Sequence, residues 1–343
     1  MTPAVGSVAP RAVAVVGAGA WGTTLATILA ERYPLVRLWV FETDLAQEIH
    51  ETRENRVYLP EVRIPDAVQA TSSLAEALTG AGLVLLVVPS HVFRRVVSDA
   101  ATHISPQALV VSATKGIEVT TLATMSEILT EVLPPIHHPR LAVLSGPSFA
   151  HEVARRHPTA VVAAARDPSV AEGVQRTVSG GVLRVYAGLD PRGVELGGAI
   201  KNVIAIAAGI VDGLGLGLNA RAALITRGLA EMTRLGVAMG AQPATFAGLA
   251  GMGDLILTAT GDLSRNRRVG IEIAKGRRLP ELLAESKAVA EGVNTCRSVV
   301  QLAERHRVEM PISRAVHRVL FEMQDPREAV IQLMTRGLRF EGD

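Results

Sequence analysis

Cysteine is nearly absent. The 343 residues hold one, Cys296, which excludes an intrachain disulfide framework and any cysteine-built zinc or iron-sulfur centre, and a reducing compartment is the simpler setting. Aromatic residues are only 3% of the chain, too few for the stacking platforms of a single-strand nucleic-acid binder. An excess of one charge is missing too: 35 Lys+Arg against 33 Asp+Glu leave a formal +2, which argues against wrapping of a nucleic-acid backbone but permits local anion sites. The longest plain apolar runs, Leu83 to Pro89 and Val203 to Val211, fall far short of the roughly 18 residues of a membrane span. The first ten residues carry no cationic stretch followed by an apolar segment, so no signal peptide is expected. The expectation is a soluble, cytoplasmic protein without an integral membrane segment. With 48% hydrophobic residues, the chain can bury a large core divided over two or three domains. Lysine is scarce as well: Lys115, Lys201, Lys275 and Lys287 are the only four.

What is present is organised in two styles. Ala12 to Val16 is an apolar run without polar alternation, as expected of a parallel strand covered on both faces, and a glycine turn separates it from a helix beginning near Ala20. Val36 to Phe41, Leu83 to Val88, Leu109 to Ala113, Leu141 to Leu144, Ala160 to Ala164 and Leu183 to Tyr186 read as further strands. Helix-compatible stretches lie between them, at Ser73 to Leu78, His91 to Ala100, Thr120 to Val132 and Pro168 to Val178. This alternation predicts an α/β region with a mostly parallel sheet. After Asp190-Pro191 the β-rich runs stop, and Leu218, Ala222, Ile225, Leu229 and Met232 recur at helical offsets. We expect a domain over residues 1–190 and an all-helical domain over residues 191–343.

Gly17-Ala18-Gly19-Ala20-Trp21-Gly22 fits G-x-G-x-x-G between a strand and a helix. The first glycine permits the turn, the second lets backbone approach a diphosphate, the third lets the helix close on the sheet, and the helix amides face the anion. Glu42, 20 residues past Gly22, can accept from ribose hydroxyls and repel a 2′-phosphate, which favours NAD(H) and leaves NADP(H) second; it can equally be a solvated residue at a helix start. Lys201, among apolar neighbours, suits proton exchange or an interdomain salt bridge. Lys115 is a second candidate or a solvated loop lysine, and Asp254 either tunes a lysine or caps a helix. Ser264-Arg265-Asn266-Arg267-Arg268 offers hydroxyl, guanidinium and amide donors for a phosphate ester, or forms a basic face. His151-Glu152 lacks the second histidine of H-E-x-x-H, no P-loop lysine follows Gly22, and no nucleophile elbow closes after Ser148. No metal site is expected.

The order of these segments, with Ala113-Thr114-Lys115-Gly116, Leu144-Ser145-Gly146-Pro147-Ser148-Phe149-Ala150, Lys201-Asn202, Gly251-Met252-Gly253-Asp254-Leu255, Ser264-Arg265-Asn266-Arg267 and Glu291-Gly292, resembles that of the NAD(P)-dependent glycerol-3-phosphate dehydrogenases over nearly the whole chain. The resemblance implies a Rossmann-type nucleotide domain followed by a helical domain, with the site between them. The implied activity is interconversion of sn-glycerol 3-phosphate and dihydroxyacetone phosphate, supplying phospholipid synthesis. It implies Lys201 as proton acceptor. Lys115, Gly146, Ser148, Asp254, Ser264, Arg265 and Asn266 are the implied substrate-side residues. Gly17, Gly19, Ala20, Trp21, Gly22, Phe41, Glu42, Lys115, Ala150, Arg265, Val289 and Glu291 fall on the cofactor side. It also implies a homodimer and no nucleic-acid partner. Trp39-Val40-Phe41-Glu42 departs from the arginine that many bacterial relatives place near Phe41, which weakens an NADP assignment. Two alternatives stand beside this one: another two-domain hydroxyacid or sugar-acid dehydrogenase, and a dinucleotide sensor without turnover.

Overall fold

The computed structural model describes residues 12–285, 290–338 and 340–341. Its first part alternates β1 (Val13–Val16), α1 (Ala20–Leu29), β2 (Val36–Trp39), α2 (Thr43–Thr52), β3 (Glu54–Asn55), β4 (Leu59–Arg63), β5 (Val68–Thr71), α3 (Leu74–Leu78) and β6 (Leu83–Leu86). It continues with α4 (Ser90–Ala100), β7 (Leu109–Ser112), α5 (Met125–Val132), β8 (Leu141–Ser145), α6 (Ala150–Ala154), β9 (Thr159–Ala164), α7 (Pro168–Val178) and β10 (Leu183–Gly188). From Pro191 the described elements are helical: α8 (Pro191–Gly213), α9 (Gly217–Ala238), α10 (Pro243–Phe246), a π-helical turn at Leu249–Gly253, α11 (Asp254–Thr260), α12 (Arg265–Ala274), α13 (Leu279–Glu285), α14 (Glu291–Arg305), α15 (Pro311–Phe321) and α16 (Pro326–Met334).

Eight strands form one sheet in the order β10-β9-β8-β7-β6-β1-β2-β5. Successive residues of β1 face opposite cores. Val13 and Val15 join the layer with Leu25 and Ile28 of α1, whereas Ala14 and Val16 join the layer with Phe93 of α4 and Ile128 of α5. Burial on both faces is why these strands carry no polar alternation. The chain leaves β1 toward β2 on one side and returns to β6 on the other, so β1 sits at the point where strand order reverses; ligands of such sheets bind outside the carboxyl ends of the strands there.

Several features depart from the pattern read in the sequence, among them β5, an edge strand not anticipated there that pairs parallel with β2. β9 pairs antiparallel with β8, a direction that side-chain pattern does not encode. The hairpin of β3 and β4 forms its own two-stranded sheet, too short to carry a periodic signal. The stretch expected to be helical from Thr120 begins its helix at Met125, where Thr124 and Glu127 form a reciprocal capping box.

The helical part is organised on α8. Its 23 residues are long and apolar enough to cross a membrane by length and composition, yet that apolar window is wholly buried inside the protein, as befits a core helix. The helical face expected on α9 is only half used: Met232 is fully buried, Ile225 and Leu229 pack partly on the core, and Leu218 is 70% exposed. α8 and α12 touch backbone to backbone, since a Cβ at Gly209 would lie 2.0 Å from the Arg267 carbonyl oxygen and one at Gly270 would lie 2.0 Å from the Ile206 carbonyl oxygen. Neither obstacle is a flexible side chain, so the helices themselves must separate. Gly209→Ala and Gly270→Ala should each lose stability at or above the upper end of the ~1–3 kcal/mol typical of overpacking. Urea denaturation checks this; midpoints at the wild-type value would show that the helices are not in that contact.

Candidate functional site

The glycine turn takes the shape its sequence demands. Gly17 has φ +117°, a conformation open to glycine, and a Cβ at Gly22 would lie 1.9 Å from the Gly17 carbonyl oxygen. Gly19 is different, because a Cβ there meets nothing within 4 Å. It is the N-cap of α1, no side chain caps the helix, and no acidic residue occupies the first turn. Open space against uncapped amide groups fits the diphosphate of a dinucleotide. Ala20 and Trp21 begin α1, and Trp21 packs against the core layer. Phe41 and Glu42 follow β2, with Phe41 65% exposed. Glu42 is the N-cap of α2 but its side chain makes no capping hydrogen bond, so the carboxylate is not spent on its own helix.

The charged centre lies where the sheet meets the helical part. Asp254, 1% exposed, begins α11 directly after the π-helical turn. Its Oδ2 accepts from Lys115 Nζ at 2.6 Å, and its Oδ1 lies 3.1 Å from Lys201 Nζ. Lys115 also donates to the Gly146 carbonyl oxygen at 3.0 Å, which Ser148 Oγ meets at 3.0 Å as well. Lys201 donates to Thr258 Oγ1 at 2.6 Å, and Thr258 in turn donates to the Asp254 carbonyl oxygen. The Lys201 amine is pulled down to about 8 by burial first, with the cations Lys115 and Arg265 adding to the fall and Asp254 opposing it. The group is therefore near the balance between ammonium and amine at neutral to mildly alkaline pH.

Arg265 starts α12. It remains open to solvent although protein surrounds its guanidinium closely enough to lower its pKa by desolvation, with Glu291 opposing that shift. No salt-bridge partner within 4.0 Å is found for it among the described residues. Its neighbours are spoken for: Arg267 pairs with Asp212 at 2.7 Å and Asp262 at 3.0 Å, and Ser264, buried, caps α12 by accepting from the Arg267 amide.

Asn266 uses one amide N–H and its oxygen within the protein, and its second Nδ2 hydrogen has no partner among the described residues. Its Nδ2 donates to Asn202 Oδ1 at 2.9 Å and its Oδ1 accepts from the Gly292 amide at 3.0 Å, so both ends of the amide tie α12 to α8 and α14. Glu291, at the start of α14, receives Ser90 Oγ at 2.6 Å and the Ser90 amide at 3.2 Å. Burial raises its pKa while the Ser90 donors oppose the rise. Ala150 begins α6, and its carbonyl oxygen accepts from Thr24 Oγ1 of α1 at 3.2 Å. Val289 lies outside the described residues.

Comparison with known proteins decides the family. The model described as NAD-dependent glycerol-3-phosphate dehydrogenase N-terminus matches residues 12–171, and its C-terminus counterpart matches residues 190–331. The chain is 58% identical over 330 residues to a protein of Geobacter sp. (strain M21) named glycerol-3-phosphate dehydrogenase [NAD(P)+], covering 96% of this chain and 98% of that one. The chain belongs to the NAD-dependent glycerol-3-phosphate dehydrogenase family. Its fold matches the crystal structure of the Coxiella burnetii glycerol-3-phosphate dehydrogenase with a TM-score of 0.89 at 40% identity, over 95% of this chain and 99% of that one. The Saccharomyces cerevisiae glycerol-3-phosphate dehydrogenase gives 0.80 at 28%, over 94% and 99%.

In this family member, sequence reasoning missed Thr258 and Ser90. Thr258 lies four residues past Asp254 on α11, one turn along the same helix face, and that spacing was the available signal. Ser90 had none, because its partner Glu291 is 201 residues away.

Gly19→Ala tests the cofactor cradle. The methyl enters open space, so folding stability should stay within about 1 kcal/mol of wild type, while NADH affinity, followed by fluorescence titration, should fall at least about tenfold as the diphosphate is held off the amides. Wild-type affinity would place the dinucleotide elsewhere.

Proposed function

We propose that this family member interconverts sn-glycerol 3-phosphate and dihydroxyacetone phosphate and uses NAD(H) in preference to NADP(H). One observation carries the reading: the buried amine of Lys201, lowered to about 8, lies within 3.1 Å of Asp254 and close enough to the Arg265 guanidinium to feel its charge. A bound nicotinamide dinucleotide supplies the hydride chemistry. As a neutral amine, Lys201 accepts the proton of the C2 hydroxyl, and as an ammonium it returns a proton to the carbonyl oxygen. Asp254 orients that amine and holds Lys115 beside it, so the surrounding charge is fixed. Arg265, with no salt-bridge partner among the described residues, holds the phosphate end with Ser264 and the remaining amide N–H of Asn266 beside it, and Lys115, Gly146 and Ser148 form the opposite wall.

On the cofactor side, Gly17 through Gly22 hold the diphosphate and Glu42 faces the adenosine ribose, repelling a 2′-phosphate. Phe41, Lys115, Ala150, Val289 and Glu291 complete that side. The residues divide into a nucleotide domain, 1–190, and a helical domain, 191–343, with the reaction between them. The enzyme works in the cytoplasm, makes glycerol 3-phosphate for phospholipid synthesis and acts as a homodimer. The exposed apolar side chains Leu218, Met323, Ile331 and Met334 support association through the helical part.

The reading is tested at the phosphate. Arg265→Ala should lower kcat/KM for dihydroxyacetone phosphate by about 10²-fold or more, since a charge-assisted pair to a substrate phosphate is lost, and should change the slow turnover of free dihydroxyacetone far less. NADH affinity is measured alongside, because Arg265 is near Glu291. An equal proportional loss with both substrates would remove Arg265 from phosphate recognition.

A further inference from the structure

The carboxylate of Glu42 is not left to move freely at the end of β2. Its Oε1 accepts a hydrogen bond from the Tyr58 hydroxyl at 3.1 Å. Tyr58 comes from the turn between β3 and β4, and its ring is half-buried against the core layer that also holds Leu25 and Val15. The same turn is fastened to the glycine loop. The Tyr58 amide donates to Asn55 Oδ1 at 3.1 Å, and Asn55 Nδ2, fully buried, donates to the Ala18 carbonyl oxygen at 2.8 Å and to Thr23 Oγ1 at 2.9 Å. The short hairpin is thus a strut with one end on the loop that cradles the diphosphate and the other on the carboxylate 16 residues before Tyr58.

We propose that Tyr58 is a specificity-determining positioning residue, holding Glu42 so that the site favours NAD(H) over NADP(H). The inference rests on the reading that Glu42 faces the adenosine ribose. The phenol occupies Oε1 and leaves Oε2 to accept from a ribose hydroxyl. A carboxylate already fixed loses less side-chain freedom on binding than a free one, and it keeps its charge where a 2′-phosphate would have to sit. A cation is also close by: the guanidinium of Arg95 lies 5.9 Å from the centre of the Phe41 ring. Should the carboxylate swing away, Arg95 remains as the charge that welcomes a phosphate. The strut therefore decides which of two opposite charges the ribose end of the cofactor meets. Asn55 makes that decision rigid with respect to the diphosphate loop.

The test is a double-mutant cycle on the whole enzyme, with kcat/KM measured for NADH and NADPH at saturating dihydroxyacetone phosphate. Tyr58→Phe keeps the ring and removes the donor. It should lower the NADH:NADPH ratio about 3- to 10-fold, the range of a single partly exposed hydrogen bond to a charged group, and should produce no further change in the ratio when added to Glu42→Ala. Equal loss with both cofactors would overturn the proposal, since a merely structural tyrosine would act that way. A shift of the same size in the Glu42→Ala background would also overturn it, because Tyr58 would then act without the carboxylate. If Glu42→Ala moves the ratio and Tyr58→Phe does not, Tyr58 alone is at fault; if Glu42→Ala leaves the ratio at its wild-type value, the ribose reading of Glu42 fails and the proposal with it.

Discussion

One buried carboxylate between two lysines holds the site together. Asp254 receives Lys115 from the loop after β7 on one oxygen and approaches Lys201 of α8 with the other, so the same side chain joins the sheet to the helical part. Two ammonium groups around one buried carboxylate leave a surplus positive charge, and Arg265, on the solvent-facing side, adds to it. Burial resolves the surplus by weakening the hold of the least solvated cation on its proton, which is Lys201. The arrangement thus prepares an amine to exchange protons.

The rest of the architecture can be understood as keeping that triangle in register. α8 carries Lys201 through the middle of the helical core and brings α12, with Arg265, to backbone contact through paired glycines. Asn202 and Asn266 then tie α8, α12 and α14 together across a single side-chain pair. Glu291 and Glu195 extend the connection into the nucleotide-binding part by receiving first-turn amides of α4 and α5, at Ser90 and Ser126. Such caps satisfy helix termini that would otherwise face protein unpaired, and they fix the distance between the cofactor cradle and the lysines.

How far this was legible in the sequence depended on whether each feature is local. The strand, glycine turn and helix from Val13 to Leu29 could be read because each step is set by neighbours within a few residues: burial on both faces, a positive φ at Gly17, a close approach at Gly22. The change to helices after Pro191 was legible for the same reason. The antiparallel course of β9 was not, since alternation of side chains is the same in either direction. Nor was the β3–β4 hairpin, whose first strand has two residues. In the site, the lysines could be singled out by their apolar settings, but the Asp254 contact joins positions 53 and 139 residues apart, and the tie that Asn266 makes to Asn202 and Gly292 joins helices far apart in the chain.

The central claim, an amine at Lys201 that titrates near neutrality because it is buried beside other cations, is open to direct measurement. The chain has four lysines, so nitrogen-15 or carbon-13 labelling of lysine side chains gives a spectrum simple enough to assign by single substitution. As pH rises, one resonance should titrate near about 8, should disappear in Lys201→Ala, and should move to lower pH in Asp254→Asn, where the attraction that favours the ammonium is gone. A Lys201 resonance that titrates at the ordinary lysine value of about 10.4 would contradict the account.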